Sequence, residues 1–483
     1  MIRVVIVGGG ASGRLAALHL VRRAPTDVDL RIRMVDRRGP DSMGPAYSTD
    51  ADTLLLNVPA EIMGASSEDP DEFRRWAAGR WEDTQPGAYL PRRLFREYLL
   101  GLLAGAVADR RDEVTFEHVQ GAATDLEVGG SEVTIRLDGG ETLEADRVVL
   151  ALGNPPPPDL PMSDPGTRES ERYVSAPWDL SPLDRLAPDD PVIFIGTGQT
   201  MVDLSLVLTD RGHGGTLTAM SRRGLLPLTH PEGDQVYPSF FDEIEGSTSI
   251  RHVLATVRKH VRRARSAGLD PRSVIDSMRT DTQALWSGMP EVEKRRFMRH
   301  AFRYWERIRS RIPPESGATI DRLRADGRLR VRAGRIRDIV DVGSAMEVRY
   351  SPRRGGADRT ERAAMVINCI GPEADYRRVR DPLVRNLLDR GLIQPGMADI
   401  GLATDLAGAV LDADGVPSEV LFTLGSTMKG LVWEALAVPD IRVQAEELAE
   451  AFLRAAEPGG PPEGAAHRPS GRRSRSNRAP RAR

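Results

Sequence analysis

At 483 residues the chain is longer than one hydrophobic core fills, so two domains are expected, and its 40% hydrophobic residues supply cores of ordinary size. A formal charge of -3 excludes a general attraction to nucleic acid or to an anionic membrane surface. Cys369 is the single cysteine, which excludes an internal disulfide and the cysteine pair through which flavin disulfide reductases relay electrons.

The chain opens on Arg3-Val-Val-Ile-Val7, an apolar run of the kind that forms a buried parallel strand. Gly8-Gly9-Gly10-Ala11-Ser12-Gly13 follows, and then Leu15, Leu18, Leu20 and Val21 at helical spacing. Strand, glycine turn and helix in that order read as a dinucleotide fingerprint. Gly8 permits the tight turn, Gly10 lets the backbone approach a pyrophosphate and Gly13 lets the helix pack on the strand. The helix start at Ser12 presents free N–H groups to the anion. A second strand, Leu30 to Val35, ends at Asp36, where an acid accepts ribose hydroxyls and repels a 2′-phosphate, so FAD or NAD is expected there rather than NADP. The first strand begins too early to leave room for a signal peptide, and no apolar stretch is long enough to span a bilayer. A cytoplasmic protein with no membrane partner is expected.

Helices are predicted over 71–78 and 92–107, a β-rich stretch over 114–135, and a strand over 147–151 that exits through Gly153-Asn154 and four prolines. In the loop before the helices, Asn57 either donates to a flavin ring or closes an Asx turn. Arg92 binds a cofactor phosphate or caps local structure.

The fingerprint then recurs. Pro191 to Ile195 is a strand, Gly196-Thr197-Gly198-Gln199-Thr200-Met201 a turn, Gln199 to Leu208 a helix, and Thr216 to Met220 a strand that ends in Ser221-Arg222-Arg223 instead of an acid. Two guanidiniums and a hydroxyl suit a phosphate, so this site should prefer NADPH over NADH, the alternative being a solvated basic corner. Met201 replaces the third glycine, so its helix should stand slightly off its strand. Two such turns in one chain commonly bring a nicotinamide against a flavin, so that a hydride passes between them.

From 252 to 311 the pattern is helical and basic and reads as an insertion, with Arg299, Arg303, Arg307 and Arg311 recurring every four residues. That row is either a solvated face or a pocket for a dicarboxylic substrate. His230 either lines the nicotinamide site or faces solvent. Short strands are predicted over 329–333, 336–340 and 346–350, and a buried strand runs into Gly371-Pro372. Gly425 and Gly430 precede Trp433 and Glu434, which sit over the flavin or, for Trp433, in the core. A last helix is predicted over 441–455, and from 456 the Pro, Gly, Ser and Arg composition predicts disorder.

Several segments resemble the YdhS-like FAD/NAD(P)-binding proteins: Gly44-Pro45-Ala46-Tyr47-Ser48-Thr49, Leu55 to Ala60, Gly196 to Asp203, Ser221 to Leu225, Val366 to Pro372, and Trp433-Glu434 with Val438-Pro439. More distantly, the two-site layout, the Gly-x-Gly-Gln-Thr turn and Pro91-Arg92 with Phe95 and Tyr98 resemble the flavin-dependent N-hydroxylases of ornithine and lysine, and the layout is similar to enzymes that N-oxidise aspartate to nitrosuccinate. The resemblance implies FAD at the first site, NADPH at the second and O2 as electron acceptor. Tyr173 to Asp179 lacks the Phe-x-Gly and histidine signature of Baeyer–Villiger enzymes, which makes ketone oxidation less favoured.

The resulting expectation is an α/β flavoprotein with two Rossmann-like dinucleotide-binding domains. FAD is held by 1–188 resumed over 357–455, and NADPH by 189–356 with a helical insertion over 236–326, followed by a tail over 456–483. Cofactor binding is assigned to Gly8, Gly10, Ser12, Gly13, Asp36, Asn57, Arg92, Gly153, Gly196, Gly198, Gln199, Thr200, Ser221, Arg222, Arg223, Gly371, Gly425 and Trp433. Catalytic or substrate roles are assigned to Asn57, Arg303, Arg307 and Arg311. The expected reaction is oxidation of the amine of a small amino acid, aspartate first, through a C4a-hydroperoxyflavin, in a chain that leaves a homo-oligomer open. A flavoprotein oxidoreductase or redox-sensing module without oxygen insertion remains the alternative.

Overall fold

The computed structural model describes residues 1–231, 233 and 235–454. The first unit starts with β1 (Ile2–Val7), α1 (Ala11–Arg23) and β2 (Leu30–Asp36), and β1 pairs with β2 in parallel from Ile2↔Leu30 to Val7↔Val35. Val4 to Val7 are buried on both faces, which is why an unbroken apolar run is needed in a parallel strand covered by helices. Helices α2 (Glu72–Ala77) and α3 (Arg92–Asp109) lead to β3 (Val114–Gln120), which extends the sheet beside β2. A separate antiparallel meander, β4 (Ala123–Gly129), β5 (Glu132–Leu137) and β6 (Thr142–Ala145), delivers the chain to β7 (Arg147–Leu150) on the other side of β1.

The second unit contains β8 (Tyr173–Val174), β9 (Val192–Ile195), α4 (Gln199–Asp210) and β10 (Leu217–Ser221). The insertion follows as α5 (Ile250–Ser266), α6 (Arg272–Asp276), α7 (Thr282–Gly288), α8 (Glu291–His300) and α9 (Phe302–Arg309), and α10 (Pro314–Ala325) returns the chain to β11 (Leu329–Asp341). The two strands predicted over 329–340 are this one strand. Its first half runs parallel to β10, and its second half leaves the layer to pair antiparallel with β12 (Met346–Pro352). After β13 (Arg359–Ala363) comes β14 (Met365–Asn368), giving the order β13-β12-β11-β10-β9-β14-β8.

Three strands differ in placement from the boundaries expected above. β13 and β14 fall in the range assigned to the resumed first unit, and β8 in the range assigned to its first part, yet all three lie in the second sheet. Only Ala364 separates β13 from β14, too short a link to reach the other sheet, and β14 is hydrogen-bonded in parallel register to β9 and β8.

The chain then rejoins the first unit through α11 (Pro382–Asp389), β15 (Ala409–Leu411), β16 (Pro417–Thr423) and α12 (Val438–Arg454). β16 pairs in parallel with β7 and completes the order β15-β16-β7-β1-β2-β3. Ala445, Leu448 and Ala449 of α12 pack with Leu15 and Leu18 of α1 in the core between the helices and the sheet. The tail predicted to be disordered lies outside the described residues. Among the described residues no helix is long and apolar enough to cross a membrane.

Candidate dinucleotide sites and their junction

Each glycine turn has the same division of labour. Gly8 holds φ at +114° and Gly196 at +127°, and a Cβ on either would overlap a carbonyl oxygen, of Ala151 and of Cys369 respectively. A Cβ on Gly13 would overlap the carbonyl of Gly8, so that glycine is what lets α1 lie against β1. Gly10 and Gly198 are different. Nothing lies within 4 Å of a Cβ on Gly198, and only the Met43 and Gly44 backbone lies within 4 Å of one on Gly10. These two are the helix N-caps, neither with a side-chain cap, so the first-turn N–H groups of α1 and α4 face open space where an anion fits. Met201 fills the place of a third glycine and is fully buried in the second unit's core.

Asp36 closes over the first turn, accepting from Gly9 N and Arg38 N, each at 2.8 Å. On the opposite side, a Cβ on Gly425 would lie 2.8 Å from Ser12 Oγ, and Gly425 N donates to Gln444 Oε1 at 2.7 Å. Ser426 Oγ and Gln444 Nε2 are buried with no partner. Two orphaned polar atoms beside an anion-facing turn fit a polar cofactor that would satisfy them. Neither Ser426 nor Gln444 was expected from the sequence, because nothing local connects them to a turn more than 400 residues earlier. Gly153 and Gly371 each hold a positive φ in open surroundings at the exits of β7 and β14.

At the end of β10, Ser221 Oγ accepts from Gly224 N and bonds Thr197 Oγ1, each at 2.9 Å, so the hydroxyl shapes the turn. Thr200, in the first turn of α4, is half-buried. Arg223 lies 4.9 Å from the centre of the Tyr304 ring on α9. Burial, and then the like charges of Arg303, Arg223 and Arg335, push the Arg222 guanidinium down from its ordinary range. Among the described residues, Arg222, Arg223 and Arg335 have no carboxylate partner, which fits a polyanionic ligand.

Side chains tie the Asn57 loop of the first unit to the second turn. Asn57 Nδ2 donates to Gln199 Oε1 at 3.2 Å, Gln199 Nε2 donates to the Arg311 carbonyl at 2.9 Å, and His230 Nε2 lies 2.9 Å from the Asn57 carbonyl. Burial lowers the His230 pKa, so the ring is neutral at pH 7 and its Nε2–H is the donor. Tyr89 flanks the ring at 5.1 Å.

Three sequence expectations need correction. Arg92 is not aimed at a phosphate: Nη1 and Nη2 bond the two oxygens of Asp203 at 2.9 and 3.1 Å, Nε bonds the Leu55 carbonyl, and the pair joins α3 to α4. Burial pushes the Asp203 carboxyl up, and the Arg92 guanidinium opposes that. The arginine row is not one helix face, because the helix breaks at Ala301 and ends at Arg309. On an unbroken helix Phe297 and Phe302 would point roughly 140° apart. The break lets both reach Trp433, at 5.5 and 5.8 Å. Arg311 is buried and bidentate on Asp276, Arg303 pairs with Glu306, and Arg307 Nε donates to the Leu226 carbonyl. Trp433 is core: it is buried against Trp286 at 4.2 Å, the packing alternative of the two.

Residues 5–155 match the model of a protein family described as FAD-NAD(P)-binding. No curated protein matches the sequence. Among solved structures, the chain is similar to the ornithine N-hydroxylase of Kutzneria sp. 744, with 14% identity, a TM-score of 0.63, and 94% of this chain and 99% of that one covered. The reduced ornithine hydroxylase of Pseudomonas aeruginosa gives 14% identity and a TM-score of 0.63 over 95% and 100%. The cadaverine monooxygenase of desferrioxamine biosynthesis from Erwinia amylovora, solved with FAD, gives 14% and 0.61 over 93% and 94%. At that identity the likeness is one of fold, and it covers 93–95% of this chain.

Proposed function

We propose that this chain is an FAD- and NADPH-dependent monooxygenase that oxidises the amine nitrogen of a small amino acid, with L-aspartate as substrate, and that it is a cytoplasmic member of the YdhS-like FAD/NAD(P)-binding proteins. The observation that carries the reading is the Asn57–Gln199 bond, which ties the loop of the first unit to the helix start of the second turn. Two uncapped helix N-termini serve two pyrophosphates, and side chains from both units close the space between them. When bound, the cofactors supply hydride transfer and oxygen activation.

The chain's residues bind and orient. Asp36 stands at the ribose position of the first site, and Arg222 and Arg223 receive the 2′-phosphate that distinguishes NADPH. Asn57, Gln199 and neutral His230 fix the junction where the two rings would meet. The solved proteins of similar fold act on ornithine and cadaverine according to their descriptions. Aspartate is favoured here by charge: apart from the Arg222 cluster that takes the phosphate, Lys429 has no carboxylate partner among the described residues, and its charge repels the second ammonium of a diamino acid and attracts a carboxylate.

The test is an oxygen-uptake screen with NADPH and the FAD-loaded protein, followed by mass spectrometry of the amino acid. Aspartate should gain oxygen on nitrogen, ornithine and lysine should not, and NADPH should reduce the flavin faster than NADH. NADPH consumption that yields only hydrogen peroxide with every amino acid would overturn the monooxygenase reading. Protein that stays colourless after incubation with FAD would overturn the flavin assignment.

A further inference from the structure

Lysine occurs only three times in this arginine-rich chain, and Lys429 stands at the seam between the first unit and the insertion. It follows the 3-10 turn Gly425–Met428, whose first residue abuts Ser12 of the anion-facing turn. Its ammonium lies 5.4 Å from the centre of the Phe302 ring and 5.2 Å from that of Trp433. Phe302 belongs to α9, the helix whose Tyr304 carries Arg223. Lys429 thus lies on a line of contacts that runs from the first dinucleotide turn to Arg223 at the end of β10.

Two ring faces stabilise a cation, but they accept none of its three N–H bonds. Among the described residues no hydrogen bond or ion pair reaches this ammonium. The nearby carboxylates are already engaged, Glu306 with Arg303 at 2.8 Å and Glu434 with Arg309 at 3.1 Å. The five groups therefore sum to one uncompensated positive charge. Burial lowers the Lys429 pKa, Glu306 and Glu434 oppose the shift, and Arg303 adds to it. The side chain is half-buried, so its donors are shielded and yet reachable. With the Arg303–Glu306 and Arg309–Glu434 ion pairs each neutral, the position is left to take one more negative charge, and the dinucleotide phosphates already have their own open turns and the Arg222 cluster.

We propose that Lys429 is the receptor for the carboxylate of an α-amino acid, held over Phe302 and Trp433 so that the amine extends into the junction between the two turns. This rests on the amine-oxidising reading above for its substrate class, and on the uncompensated ammonium for its location. Recognition then depends on a lysine of the first unit and two aromatic rings, one from each side of the seam, and not on the arginine row of the insertion.

Calorimetric titration of the FAD-loaded full chain tests this independently of turnover. L-aspartate, L-glutamate, L-ornithine and L-lysine are each compared with the amine lacking the α-carboxylate: β-alanine, 4-aminobutyrate, putrescine and cadaverine. At least one acid should bind tighter than its decarboxylated partner. Lys429→Met should weaken that acid by about 30-fold or more, the effect of removing one partner of a buried charge pair. Lys429→Arg should recover part of the loss, and the decarboxylated amine should bind both forms alike. Flavin content and melting temperature serve as the folding check for each variant. Equal affinity of the acid for wild type and Lys429→Met would overturn the proposal, as would an acid bound no better than its amine. If amines are oxygenated while Lys429→Met changes nothing, the carboxylate receptor fails and the monooxygenase stands; Lys429-dependent binding with no oxygenated product gives the reverse.

Discussion

The glycines of the two turns separate into those that make the fold and those that make room for a ligand. A Cβ on Gly13 would overlap the Gly8 carbonyl, whereas a Cβ on Gly198 meets nothing. Gly13→Ala should therefore destabilise the chain by about 1–3 kcal/mol, read as a lower melting temperature and loss of bound flavin. Gly198→Ala should melt like wild type and lose rapid reduction by NADPH. Asp440 offers a pH test at the same scale. Burial raises its carboxyl from 3.8 to about 6, with Arg279 opposing, and Oδ2 has no partner. A raised pKa means that the folded state holds the proton more tightly than the unfolded chain. The stability it contributes is complete below about pH 4 and is lost as pH rises through 6. Relative to Asp440→Asn, the wild type should lose about 2–3 kcal/mol of unfolding free energy between pH 4 and pH 7, measured by denaturant titration.

Among the elements, α3 and α4 are joined by a buried ion pair. Arg92 and Asp203 form a bidentate pair with both side chains about 10% exposed. Removing one partner leaves a buried charge, so Arg92→Ala or Asp203→Ala should cost about 3–5 kcal/mol. Each variant should also slow flavin reduction by NADPH, while dithionite reduction stays unchanged, because the pair sets the angle between the units and touches no reacting atom. The elements around each turn were legible in the sequence because strand, turn and helix are contiguous there: β1–α1–β2 and β9–α4–β10 follow from periodicity and glycine placement. What was not legible depends on partners distant in the chain. The run Met365–Asn368 is apolar enough for either sheet, and only its pairing with Val192–Ile195 decides. The arginine spacing suggested one continuous helix, but the helix breaks at Ala301 where Phe297 and Phe302 both pack on Trp433, a residue more than a hundred positions away. Arg92 was read as a phosphate ligand because Asp203 lies more than a hundred residues on. Gln444 and Ser426 had no local signal at all.

For the whole molecule, the insertion is covalently part of the second unit while its aromatic core includes Trp433, Ala398 and Ile400 of the first. Gln283 and Trp286 on α7 add hydrogen bonds to the backbone at Leu431, Trp433 and Gly430. Trp433→Ala should cost about 3–5 kcal/mol and divide thermal unfolding into two transitions seen by calorimetry, with the flavin released in only one.

The same fastening has an evolutionary consequence. A piece that grows out of one nucleotide holder and roots on the other can drift on its outer face, while its rooted face stays bound to the holder beneath it. Within the stretch from Ile250 to Arg309, Phe297 and Phe302 should change only in step with Trp433, on which both rest.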